Sequence, residues 1–176
     1  KLGNFRDVEK ALDETFDYIM LIGVLEYAGL YVDSVDPYNE FMSMIAKHLK
    51  PNGKIVVAIE NRLGLKYWAG CQEDHLGGYF KGLEGYSAED GVRTFCRDEL
   101  IKLAERQGFC QSELYYPYPD YKLPMVIYSD DRLPMQGELV TNLRNYDRER
   151  MMLFSEKKVY DALITAGLFP EFSNSF

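Results

Sequence analysis

The chain has 176 residues, 47% of them hydrophobic, and 28 acidic against 20 basic residues leave it at −8. That length carries one domain with a substantial core, and the acidity argues against nucleic acid as a partner, because phosphate backbones are held by clustered Lys and Arg. No run approaches the roughly 20 apolar residues that cross a bilayer and no signal peptide is visible, while three cysteines without motif spacing (Cys71, Cys96, Cys110) read as reduced thiols of a cytoplasmic protein.

Phe16 to Gly23 is a short apolar run closed by glycine, the pattern of a strand buried on both faces of a parallel sheet. Asp36-Pro37 offers a helix N-cap followed by proline at the first helical position. Tyr38, Phe41, Met42, Ile45 and Leu49 follow at helical spacing, and Lys47, His48 and Lys50 suit the helix's negative end. Pro51-Asn52-Gly53 marks a turn, and Lys54 to Ile59 reads as the next strand. A strand, helix and strand joined this closely predict a parallel pair with a right-handed crossover. Residues 61–95 form a long glycine- and aromatic-rich connection, predicted as a lid or substrate insertion. Asp98 and Glu99 open a further helix stopped by Gly108. Strands are predicted at Phe109–Tyr116 and Met125–Ser129, a polar surface excursion over 130–146, a long helix over Asp147–Ala166 and a last strand from Phe172.

The order of these motifs resembles the later half of a class I S-adenosylmethionine-dependent methyltransferase. The residues that carry the likeness are "FDYIMLIGVLEYAG" at 16–29, "LKPNGKIVVAIEN" at 49–61 and "FCRDELIKLAERQGF" at 95–109. Tyr27 stands where that family commonly has histidine, and Asn52 where it has glycine. The resemblance covers residues 1–118 and implies an α/β fold: a partial Rossmann-like domain over 1–176, with a mixed sheet of strands four to seven and the first strands absent. The family's glycine-rich cofactor loop is missing, since the residues before Phe16 hold a single glycine, Gly3. The chain is therefore expected to be a piece of a longer enzyme, inactive alone, with strand 16–23 left as an unpaired edge open to self-association.

By the same resemblance, Asn4 and Phe5 sit beside the adenine and Ile22, Gly23 and Val24 border the cofactor. Tyr27, Asn61, Arg62 and Trp68 fall on the substrate side. For each, a plainer role stands beside this one: a solvated turn, a strand end, a helix entry, an internal salt bridge or the insertion's own aromatic core. Glu60 closes a core strand on a carboxylate, as crevice-facing residues do at the carboxyl edge of a parallel sheet. His75, in Cys71-Gln72-Glu73-Asp74-His75, is the acid–base candidate of the insertion; with Cys71 it makes only two ligands, so no metal site is expected. The implied activity is methyl transfer from S-adenosylmethionine to a small molecule or glycan, with His75 or Glu60 as base. The alternative is a non-catalytic methyltransferase-like module that binds protein within a larger polypeptide, and late strands and helices are shared with other doubly wound α/β enzymes.

Overall fold

A computed structural model describes residues 2–87, 89–139 and 151–176. The elements are mixed α/β: α1 (Phe5–Lys10), β1 (Phe16–Ile22), α2 (Ala28–Tyr31), α3 (Pro37–Lys47), β2 (Leu49–Ala58), α4 (Leu65–Trp68), α5 (Lys81–Glu84), α6 (Arg97–Glu105), β3 (Tyr115–Tyr118), β4 (Val126–Ser129), α7 (Glu156–Thr165) and α8 (Phe169–Phe172). A 3-10 turn over Leu25–Tyr27 joins β1 to α2. Among the described residues β1 and β2 form a parallel pair, and β3 and β4 an antiparallel one.

The first unit follows from local chemistry. Asp36 caps α3 by accepting from Asn39 N–H, and Pro37 occupies the first turn, where no donor is needed. Phe41, Met42, Met44 and Ile45 bury one face of α3. The expected turn at Pro51-Asn52-Gly53 is a bulge: Phe16 pairs with Leu49 and Tyr18 with Lys54, so residues 50–53 loop out, with Asn52 at φ 67°. From Ile19↔Ile55 to Ile22↔Ala58 the register is regular.

Burial of β1 on both faces is not observed. Leu21 is buried and Ile19 half-buried, but Tyr18, Met20 and Ile22 are 65%, 63% and 50% exposed, and Val56, opposite Met20, is 42% exposed. Strand alternation sends i and i+2 to the same face, and only one face of this pair has a layer against it among the described residues.

The chain's later part also departs from expectation. The predicted strand Phe109–Tyr116 shortens to Tyr115–Tyr118, whose Tyr116 and Tyr118 face the core. The predicted helix 147–166 is helical only from Glu156; residues 151–155 are not, and 147–150 lie outside the described residues, as does 140–146 of the predicted surface excursion. Phe172 ends a short helix instead of opening a strand, because Pro170 sits at its first turn. The chain then runs antiparallel to the end of β2: Ile59 and Phe176 exchange both backbone hydrogen bonds, and Asn61 N–H donates to Asn174 C=O. That contact, with Phe95 bridging Asn61 on the other side, encloses the carboxyl end of β2. The core gathers there, with Leu21, Leu25, Ile45, Ile59, Phe95, Tyr116, Tyr160, Phe169 and Phe176 all buried. The helix predicted over 98–107 forms as α6 and stops before Gly108, at φ 86°. No described helix is long and apolar enough to cross a membrane.

Candidate functional site

Buried titratable side chains converge where β1 and β2 end. Glu26 lies in the 3-10 turn after β1, and Glu60 two residues past β2; both are buried. His75 arrives from the connection after α4, in a turn held by Glu73, whose carboxylate accepts from the N–H groups of His75 and Leu76. Lys122 comes from the turn between β3 and β4 and meets Glu60 at 2.5 Å. Four separate segments thus supply one cluster.

The imidazole has two different neighbours. Nδ1 lies 3.1 Å from the Tyr27 hydroxyl, and the rings meet edge to face. Nε2 lies 3.5 Å from Glu60 Oε2, a charge contact that lacks hydrogen-bond geometry. Burial pulls the imidazole's pKa down, but the Glu60 carboxylate outweighs it and the net shift is upward. Burial pushes Glu60 up, yet His75 and Lys122 hold it down at about 2. For Glu26 the balance falls the other way: burial most, and the Glu60 charge with it, raise its pKa against its own backbone N–H, His75 and Lys122.

A second layer orders the first. Lys66, 1% exposed, donates to Asp74 at 2.7 Å and Asp120 at 3.4 Å, and the Tyr67 hydroxyl donates to Asp74. Its pKa is raised to about 12, since the two carboxylates overcome the burial that would lower it. Gly23, at φ 61°, lets the chain turn from β1 into the cluster; a Cβ there would meet the Tyr121 hydroxyl at 3.1 Å and Glu26 Oε1 at 3.5 Å.

The residues singled out from sequence divide sharply. Glu60, His75 and Tyr27 come together as one site, and Gly23 adjoins it through Tyr121 and Glu26. Ile22 and Val24 flank that glycine, half-exposed. Asn61 does not reach the cluster: its amide donates to the carbonyls of Glu171 and Ser173 and accepts from Leu63 N–H, so it fastens the C-terminal segment. Arg62 pairs with Glu99 at 2.8 Å. Trp68 donates to Leu63 C=O and leans on Phe172. Asn4 caps α1 by accepting from Arg6 N–H, and Phe5 packs on Phe41 beside an apolar cavity of about 280 Å³ that Leu12, Phe16 and Ile45 also line. Glu26, Lys66, Asp74, Asp120 and Lys122 were not foreseen as site residues. Glu26 and Asp74 adjoin residues that were, but Lys122 lies in a stretch with no motif and reaches Glu60 only through the fold.

This arrangement can hold and pass a proton. A histidine between a hydroxyl and a carboxylate is the arrangement of a general base whose charged form is stabilised from behind. Comparison with protein-family models, curated proteins and solved structures finds no match to this chain.

Proposed function

We propose that the cluster activates a hydroxyl for methyl transfer from S-adenosylmethionine to a small molecule or a glycan, within a partial Rossmann-like methyltransferase domain. The observation that carries this reading is the His75 imidazole held between Tyr27 and Glu60 at the carboxyl ends of a parallel strand pair, where open α/β sheets place ligands. The motif likeness at 16–29 and 49–61 supports it, because those stretches carry Glu26-Tyr27 and Glu60 near their ends. The donor's surroundings fit in part: Ile22 and Val24 offer half-exposed apolar surface, and Gly23 a backbone without Cβ, beside the acid–base pair. Asn4 is spent on capping and does not contribute.

S-adenosylmethionine, when bound, supplies the methyl group from its sulfonium. This chain's residues orient the acceptor and take its proton. The acceptor hydroxyl displaces the Tyr27 hydroxyl from Nδ1, its proton moves to Nδ1 as the oxygen takes the methyl group, and Glu60 stabilises the imidazolium formed. Positioning supplies most of the rate in such a displacement. Among the described residues no strand is followed by a glycine-rich loop of that family's kind, so donor affinity is expected to be weak.

The test is a heteronuclear NMR titration of the chain with S-adenosylhomocysteine, with ATP as control. Shifts confined to the Ile22–Tyr27 backbone with the first ligand and absent with the second are expected. Silence of that segment at millimolar ligand defeats the reading.

One observation favours a second reading, a methyltransferase-like module that associates through its sheet. The outward face of β1 and β2 is apolar and exposed, and β1 has no strand on its other edge among the described residues.

A further inference from the structure

The cluster holds more negative charge than its basic residues offset. Glu26, Glu60, Glu73, Asp74 and Asp120 are linked there by contact or by proximity, against the ammonium groups of Lys66 and Lys122. Lys66 is committed to Asp74 and Asp120. Lys122 spans Glu60 and Asp74, the latter at 3.8 Å. Glu26 is left over: it is 1% exposed, and its Oε2 is buried with no hydrogen-bond partner. Both oxygens of Glu60 and Nε2 of His75 likewise lack hydrogen-bond geometry with any described group. Buried carboxylates in this state are costly unless a cation meets them.

We propose that Glu26, Glu60 and His75 bind a divalent transition-metal ion of the zinc, cobalt or manganese kind. One ligand atom from each residue lies within 4.8 Å of the others. Donors about 2.1 Å from one tetrahedral ion sit about 3.4 Å apart, so closure requires the farthest pair to approach by up to about 1.4 Å. An imidazole with two carboxylates suits these ions better than magnesium or calcium, which prefer oxygen alone. The Tyr27 hydroxyl on Nδ1 would fix the ring, as outer partners of ligating histidines do. Lys122 acts as the ion's internal substitute: its side chain is 54% exposed, so it can swing to solvent and free Glu60. Three protein ligands leave positions open for water or a hydroxyl, which the ion would acidify.

The inference goes beyond the acid–base reading, because an ion on Nε2 makes His75 a ligand, and it stands without any methyl donor. It is tested on the full chain after chelator treatment, by calorimetric titration with Zn²⁺ and by the visible absorption of bound Co²⁺. Saturable binding of one ion per chain is expected. Glu26→Gln should weaken it at least tenfold. Lys122→Ala should tighten it several-fold, since the competing ammonium is gone, a gain that a merely structural role for Lys122 would not produce. Thermal unfolding of each variant identifies any that fails to fold, and the Lys122→Ala arm decides the matter if Glu26→Gln is one. The absence of saturable binding, binding indifferent to a folded Glu26→Gln, or weaker binding by Lys122→Ala overturns the proposal.

Discussion

Lys66 shows how one side chain can hold a site together. It is a buried ammonium with two carboxylates in reach, and its stem lies by the Tyr67 ring, with Nζ 4.9 Å from the centroid. Removing it leaves Asp74 to Lys122 at 3.8 Å and the Tyr67 hydroxyl, and takes from Asp120 the ammonium 3.4 Å away. Breaking a buried pair by deleting one partner costs about 3–5 kcal/mol. Lys66→Met, which keeps the stem and loses the charge, is therefore expected to lower stability by about that amount in urea unfolding. A loss under about 1 kcal/mol would mean that water reaches the two carboxylates. At this scale the sequence speaks through neighbours only: Glu73-Asp74-His75 stands out as a run of chemistry-bearing residues, but nothing near Lys66 in the chain says that its charge is buried.

Among the elements, α6 is the most self-explanatory. Glu99 reaches back to accept from the Cys96 N–H at 2.9 Å and also receives Arg62 and Arg93. Burial raises its pKa, but the Cys96 N–H and the Arg62 guanidinium outweigh it and the net shift is downward. A carboxylate whose folded-state pKa is depressed adds stability above its unfolded value and loses it as pH falls through the folded one. Glu99→Gln is thus expected to be less stable than the parent at pH 7. The gap should narrow steadily as pH is lowered through the ordinary carboxylate range near 4. Urea midpoints across that range measure it, and a gap that stays constant would assign the effect to packing. This helix was legible because its acidic first turn and its glycine stop are local signals. Helix α3 was legible for the same reason. The strand of Tyr115–Tyr118 was misplaced by several residues, because a run of aromatics with two prolines carries neither the alternation nor the turn signals that set boundaries.

For the whole molecule the question is what lies against the outer face of β1. Tyr18, Met20 and Ile22 project there beside Val56, an apolar surface next to a strand edge that pairs with no other strand among the described residues. Such edges pair with other chains unless charge or a bulge prevents it. Self-association at high concentration is expected by sedimentation velocity, and Met20→Lys should return the chain to monomer without loss of thermal stability, since the side chain is solvent-facing. A wild-type chain that stays monomeric at several hundred micromolar would rule against this face as a contact.

The sequence by itself determined the strand–helix–strand unit at 16–58, a break in extended backbone at Pro51-Asn52-Gly53 (expected as a turn and found as a bulge), the start and stop of α6, and Glu60 and His75 as the residues to watch. Periodicity, capping and turn chemistry act within a few residues, and those stretches contain all that such signals need. Only the tertiary structure decided that one face of β1 has no layer against it among the described residues, that Asn61 and Arg62 are fasteners, and that Glu26, Glu60, His75 and Lys122 are neighbours. Those outcomes depend on which distant segments meet at the carboxyl end of β2, and contact between residues dozens of positions apart is set by how layers pack, which no local pattern encodes.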